Sequence, residues 1–278
     1  MIATISANKS NISTIKPLES SSAYKKNSLK QPTAEEYNLL ASIYKEKNLY
    51  KKTIIYYSKA LNIQKSKFGL FHQKTANSYT NLADAYVHDG DTKKGLELYI
   101  KALNIWEIEF GLNHVRVADI YSKMATIYFQ ENMQEKSLTL YKKSLEIRIE
   151  QLGENQVQTA SSYQELGYFY ATLEEYQLAL PLFKKAVEIR RELLKMSHPD
   201  TATSYNNLAI CYYHLFEYEK AYEALDTAIE IRSMIFDSNH ELIISSEKNL
   251  KEIKKHIYKE KKNRYISFLL NIFKSKKI

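Results

Sequence analysis

The sequence repeats itself every 42 residues, and this period constrains the fold more than any other feature. Five units align without a gap: 33–74, 75–116, 117–158, 159–200 and 201–242. Tyrosine recurs at the fifth and twelfth positions of every unit, and an alanine or glycine stands at the ninth. Such a repeat predicts equal supersecondary units that stack on one another, because a single unit cannot bury its apolar face alone.

Within each unit the apolar positions have helical spacing. Positions 5, 8, 9 and 12 follow i, i+3, i+4 and i+7, so they share one face of a helix. Positions 21, 25, 28 and 31 form a second stripe, so each unit is predicted to hold helix A (about positions 1–15) and helix B (about 18–35). Gly69, Gly111 and Gly153 are placed to end helix B in the first three units. Lys195 and Asp237 replace this glycine in the last two units, where the sequence defines the helix end less sharply.

Composition excludes several other classes of protein. The chain of 278 residues has only 6 Gly and 4 Pro, which disfavours strands joined by many hairpins. Its single cysteine excludes an internal disulfide framework. No apolar run reaches the roughly 20 residues of a membrane-spanning helix, and no signal-peptide pattern is seen, so we expect a soluble, cytoplasmic protein. Without a phosphate-binding loop, paired metal histidines or a nucleophile elbow, the sequence predicts no enzyme and no cofactor.

The alternation of small and large residues resembles that of tetratricopeptide repeats. The 42-residue period looks like that of the kinesin light chain subgroup, as do the joint HPDTA at 198–202 and the helix start YNNLA at 205–209. YEKA at 218–221 and AIEIR at 228–232 are similar to the same subgroup. The resemblance covers residues 33–242. It implies an all-α, right-handed α-solenoid of about five helix-turn-helix repeats that binds other proteins.

In that family, helix A side chains that face away from the core line a concave groove for peptides. By helical spacing these are positions 3, 7, 10 and 14 of each unit, and asparagine at position 7 resembles the family's clasp on a peptide backbone. An amide both donates and accepts hydrogen bonds, which suits an extended chain. The predicted peptide-binding residues are Asn77, Asn81, Asp84, His88, Lys123, Glu165, Tyr168, Asn207, His214 and Asn249.

The asparagine pattern is incomplete, since position 7 holds Leu39, Lys123 and Glu165 in the other three units. The alternative is that these are only polar residues on solvated helix faces. The groove positions of the five units contain five acids and one lysine. This charge favours a basic or neutral peptide as the partner.

Other residues allow two interpretations each. Trp106 stands in a column that otherwise reads Gln, Arg, Arg and Arg, which indicates an exposed face and a surface anchor for a partner; the alternative is that it covers a helix junction. Thirteen of the 23 tyrosines lie in core columns, so no nucleic acid is predicted to stack on them. His72, His114, His198 and His240 recur at position 40, too far apart to share a metal ion.

Both ends of the chain are basic. Residues 1–32, with five Lys and one Glu, are predicted to be a disordered segment, and residues 243–264 a capping helix. Residues 265–278 are predicted to be a basic amphipathic tail, because the apolar run 265–273 has lysines on both sides. Such a tail fits a membrane surface, although it could instead fold back onto the solenoid. The sequence thus supports a peptide-binding scaffold, with a regulatory or membrane-peripheral adaptor as the alternative.

Overall fold

The computed structural model of the protein describes residues 31–194 and 197–275, with side chains as far as residue 267. The predicted N-terminal segment, except for its last two residues, lies outside this part of the chain, as does the end of the tail. In the described residues the chain forms eleven helices and no strand. The helices are α1 Ala34–Glu46, α2 Tyr50–Phe68, α3 Gln73–His88, α4 Thr92–Phe110, α5 Val115–Gln130, α6 Gln134–Leu152, α7 Val157–Thr172, α8 Tyr176–Leu193, α9 Pro199–His214, α10 Tyr218–Ser233 and α11 Glu241–Ser275.

The first ten helices are the predicted pairs, one pair in each 42-residue unit. Odd-numbered helices are helix A and even-numbered helices are helix B, and each packs mainly against its neighbours in sequence. The small columns bring the helices close together: Ala83 and Ala125 are fully buried. At Gly167 even a single added carbon would lie 2.9 Å from the ring of Phe183. The all-α solenoid predicted from the repeat is therefore confirmed.

Histidine begins helix A in four places. Nδ1 of His72, His114 and His198 accepts the backbone N–H of the residue two further on, at 3.0 to 3.2 Å, and His240 does the same at α11. Their rings stack on a phenylalanine four residues earlier wherever one is present, with centroids 4.0 to 4.6 Å apart. These histidines are helix caps, in agreement with their predicted place in the joints.

The ends of helix B differ as the sequence indicated. Gly69, Gly111 and Gly153 follow α2, α4 and α6 with φ between 85° and 94° and ψ near 180°, a conformation that only glycine adopts readily. In the two units without this glycine, the helices end earlier in the unit, at Leu193 and Ser233. Residue 195 itself lies outside the described part of the chain.

The last helix, α11, runs without a break through the boundary that we drew between capping helix and tail. Its first half continues the helix A pattern, with Ile243, Ser246 and Ile253 buried against the end of the solenoid. From residue 261 to residue 267 every side chain is exposed, so this stretch does not fold back onto the repeats. In the part of the chain that the structure describes, no helix combines the length and the apolar character needed to cross a bilayer.

Candidate functional site

A polar pocket of about 370 Å³ opens between α3, α5 and α7, on the helix A side of the solenoid. It contains five of the ten predicted peptide-binding residues: Asn77, Asn81, Asp84, Lys123 and Glu165. Its other lining residues are Thr80, Trp106, Arg116, Asp119, Ile120, Ser122 and Arg148. The repeat places these side chains together because equivalent helix faces of successive units lie next to one another.

The remaining five predicted residues lie outside this pocket. His88 stacks on Tyr50 with ring centroids 5.3 Å apart, and His214 stacks on Tyr176 at 4.2 Å. His256 and Tyr218 make the same pair at the end of the solenoid. In each pair the histidine follows the tyrosine by 38 residues, so the contact is a regular link between units.

Tyr168, Asn207 and Asn249 lie further along the helix A faces. The Tyr168 side chain on α7 is 58% exposed, and Ile210, at the same position of the next unit on α9, is also exposed. Asn207 is half-buried on α9, and Asn249 is exposed on α11. The predicted residues thus form a polar pocket in the middle of the solenoid and a more open, partly apolar surface toward its C-terminal end.

Asp84 is held by two donors from neighbouring helices. The Lys123 ammonium lies 2.8 and 3.0 Å from its two carboxylate oxygens, and the Tyr99 hydroxyl donates a short hydrogen bond to Oδ1. Burial, followed by the negative charge of Asp84, raises the pKa of Tyr99, so this phenol stays a donor. Asp84 and Lys123 therefore tie α3 to α5 across the mouth of the pocket.

Glu165 projects into the pocket from α7. The Ser122 hydroxyl donates to Oε2 at 2.7 Å, and Nη1 of Arg148 lies 3.8 Å from the same oxygen. Burial raises the pKa of the Glu165 carboxyl, while the Ser122 hydrogen bond and the Arg148 charge act in the opposite direction. The Glu165 side chain is nevertheless 36% exposed; among the described residues its one ion pair is the long contact to Arg148, and the charge of Lys123 also acts on it.

Arg148 forms the floor of the pocket and belongs to a series of buried arginines. It donates to Oδ1 of Asp119 at 2.8 Å and makes a short hydrogen bond to Ser162 of the next unit. Arg190 and Arg232 make the equivalent contacts to Ser204 and Ser246. Each of the three arginines stands at position 32 of its unit and contacts the serine at position 4 of the next unit. We call these three arginine–serine pairs the arginine ladder.

A family model of the tetratricopeptide repeat matches nearly the whole solenoid, over residues 33–94, 75–150, 118–192, 158–234 and 200–256. The chain belongs to the tetratricopeptide repeat family. BtubC (BKLC) from P. vanneervenii is 25% identical to this TPR chain, over 72% of this chain and 80% of that one, with a TM-score of 0.65. A comparison with curated protein sequences finds no match.

Two further solved structures share the fold at lower identity. One is a putative kinesin light chain from Podosopora anserina with nearly identical TPR-like repeats, 20% identical over 73% of this chain and 97% of that one, TM-score 0.60. The other is aspartyl phosphate phosphatase F from Bacillus subtilis, 13% identical over 88% and 70% of the two chains, TM-score 0.64. The predicted resemblance to kinesin light chain-like TPR proteins is confirmed.

The ladder corrects the prediction that position 32 faces solvent in this TPR chain. Gln64, Arg148, Arg190 and Arg232 are each 7% exposed or less. A buried guanidinium is tolerated here because serine, carbonyl and carboxylate oxygens of the same and the next unit accept hydrogen bonds from its Nη atoms, although Nε of Arg148 and of Arg190 has no partner among the described residues. Desolvation nevertheless lowers the pKa of Arg190 and of Arg232.

Trp106 is buried as well, so the prediction of a surface anchor is wrong. It is 3% exposed and packs near Phe110 and His114, with the guanidinium of Arg116 at 5.9 Å from the ring centroid. The alternative interpretation, that it covers a helix junction, is the correct one. Its apolar ring fits because Ile120 replaces the ladder serine at position 4 of the next unit.

Sequence reasoning missed Arg116, Ser122 and Arg148 as pocket residues. A signal was present in two columns read together: position 32 is arginine or glutamine where position 4 of the next unit is serine, and tryptophan where it is isoleucine. The described residues contain no cluster of three or more metal-binding side chains. The thiol of Cys211 is fully buried, which raises its pKa to about 12.

Proposed function

We propose that this TPR protein is a non-enzymatic scaffold that binds an extended peptide segment of a partner protein along its helix A faces. The observation that carries the proposal is the state of two amides at position 7, Asn81 and Asn207. Both lie on the predicted concave face, and neither has a hydrogen-bond partner among the described residues. Each can therefore donate to and accept from a peptide backbone without breaking an internal bond.

The charge of this surface supports a basic or neutral peptide. The groove positions 3, 7, 10 and 14 of the five units carry five carboxylates and one lysine, although the pocket itself also contains Arg116 and Arg148. The excess of carboxylates along these faces would repel an acidic segment and attract a basic one.

Binding to a peptide library of random sequence tests the proposal, with the full chain as the receptor. The double variant Asn81→Ala/Asn207→Ala should lose most of the affinity of the selected peptides, and it should also lose capture of partners from a cell extract. The matched control is Asn62→Ala/Asn104→Ala, which removes two exposed amides from α2 and α4. Equal loss in both double variants, or preference for acidic peptides, would contradict the proposal.

A membrane-peripheral adaptor is the second candidate, and the observation that favours it is the length of α11. The helix continues to Ser275 and leaves Tyr258 and Tyr265 exposed next to several lysines. Flotation with vesicles of neutral or anionic lipid compares the full chain with a chain ending at Lys262. If the protein is a membrane-peripheral adaptor, the full chain should float with anionic vesicles but not with neutral ones, and the shortened chain should float with neither. Equal flotation of both chains would rule out this role for the tail.

A further inference from the structure

The pocket between α3, α5 and α7 has a composition that defines one class of side chain. We propose that it receives the cationic side chain of an arginine or lysine in the bound peptide. This inference rests on the proposed peptide-binding function and makes it more specific. It assigns the charged head of the side chain to the carboxylates of Asp119 and Glu165.

The charges of the pocket balance only if its most exposed cation is counted. Three carboxylates, Asp84, Asp119 and Glu165, line it together with three cations, Lys123, Arg148 and Arg116, of which Arg116 is the most exposed. Lys123 is engaged with Asp84, and Arg148 makes its 2.8 Å contact with Asp119, which leaves Glu165 with a cation only at 3.8 Å. An added cation would therefore find an under-compensated carboxylate in a partly desolvated place, where charge pairs are stronger than in water.

Arg116 shows how a cation can lie at the edge of this pocket. Its guanidinium stands 5.9 Å from the Trp106 ring centroid and 3.8 Å from Oδ2 of Asp119. The side chain is 56% exposed and has no other ion pair among the described residues, so it is weakly held. A peptide cation can take over the same contacts when Arg116 moves into solvent.

The opposite choice, an anionic side chain, fits less well. Lys123 and Arg148 each have a carboxylate at 2.8 Å, so an anion could reach them only by displacing one of these pairs. The remaining cation, Arg116, is 56% exposed to solvent, which weakens a charge pair. An anion would also approach three carboxylates. The volume, about 370 Å³, falls within the range of about 300–1,000 Å³ that is typical of ligand pockets, so there is space for one long side chain.

Three acetylated and amidated pentapeptides test the inference: Gly-Gly-Arg-Gly-Gly, the same peptide with citrulline, and the same peptide with glutamate. Citrulline keeps the shape of arginine and removes its charge. The full chain contains one tryptophan, and Trp106 lines the pocket, so its fluorescence reports occupancy directly. We expect the arginine peptide to bind at least about tenfold more tightly than the citrulline peptide, and the glutamate peptide to bind more weakly still.

Variants of the protein separate a charge effect from a general loss of structure. Glu165→Gln keeps the acceptor for Ser122 and should weaken the arginine peptide at least about fivefold, whereas Glu230→Gln, an exposed change on α10, should not alter its affinity. Arg116→Gln removes the competing cation and should strengthen binding, an effect that damage to the fold would not produce. Circular dichroism melts of each variant confirm that the helices are intact.

The outcomes distinguish this inference from the proposed function. Equal affinity for arginine and citrulline peptides, or tighter binding of glutamate, overturns the cationic subsite, even if the peptide library shows that the surface binds other sequences. If neither the library nor the arginine peptide binds, and the Asn81/Asn207 variant captures partners as well as the parent, the peptide-binding function itself is wrong.

Discussion

Nη1 of Arg190, on α8, lies 2.7 Å from Oγ of Ser204, on the helix that begins the next unit. The same guanidinium reaches the side chains of Gln164 and Ser161 on α7 and the carbonyl oxygen of Asp200 at 3.3 Å. One buried side chain therefore joins three consecutive helices through three polar side chains and a backbone carbonyl.

Replacement of Arg190 should be costly for stability. Arg190→Ala removes four hydrogen bonds and the volume of a buried side chain between three helices, so the free energy of unfolding should fall by about 2–4 kcal/mol. Urea denaturation followed by circular dichroism measures the change. The neighbouring Arg191 is exposed, so Arg191→Ala should stay within about 0.5 kcal/mol of the parent. Similar losses in the two variants would show that the ladder contributes little.

Trp106 stands at position 32 of the second unit, and Ile120 stands at position 4 of the third. We expect that an arginine can replace Trp106 only if Ile120 is changed as well. Trp106→Arg alone places a guanidinium against Ile120 and should destabilise the chain. Adding Ile120→Ser restores the acceptor that Arg148, Arg190 and Arg232 use, so the double variant should recover part of the loss. A double-mutant cycle in urea should give a favourable coupling of about 1–3 kcal/mol. Strictly additive effects would mean that the two columns are independent.

One joint between helix A and helix B holds an unfavourable residue. Asn48, Gly90, Asn132, Glu174 and Phe216 occupy the same position of the five units, and all have positive φ. Phe216, with φ 61° and 72% exposed, is the bulkiest of them. Because asparagine tolerates this conformation better, Phe216→Asn should raise the stability by roughly 0.5–1 kcal/mol. Thermal melts check this, and the reverse change Asn132→Phe should lower the melting temperature.

Stability should decline in alkaline solution. Burial raises the pKa of Cys211 from 9.0 to about 12 and that of Tyr141 from 10.0 to about 12. The unfolded chain releases these protons at lower pH than the native chain, so the native state loses stability as the pH rises from about 9 to 12. Urea midpoints measured between pH 7 and pH 11 should fall only above about 9. Cys211→Ala should make the decline shallower, and a flat profile to pH 11 would contradict the argument.

The parts of the fold that the sequence predicted depend on apolar burial within one unit. The tyrosine and alanine columns specify where helix A and helix B face each other, and the observed helices agree with them within about two residues at most ends. Gly69, Gly111 and Gly153 end their helices because the backbone there adopts positive φ. These features need only local chemistry and the period of the pattern.

What the sequence did not predict depends on contacts between units. Hydropathy alone predicts that an arginine lies at the surface. The burial of Arg148 can be predicted only when Asp119 and Ser162 are known to accept its hydrogen bonds. Trp106 was misassigned for the same reason, because its column consists mostly of polar residues. Continuity of α11 was predictable, since residues 241–275 contain neither glycine nor proline and nothing else interrupts the helix.

The ladder runs in one direction along the chain, since each arginine finds its serine in the helix that follows. Arg232, in the last complete unit, finds Ser246 on α11. A protein that ends at residue 242 would keep all five units but would lose Ser246, the serine that accepts a hydrogen bond from the buried Arg232 guanidinium. During synthesis, the ladder contact of each of the three arginine-bearing units can form only after the helix that follows that unit has been made, and for the last unit this helix is α11.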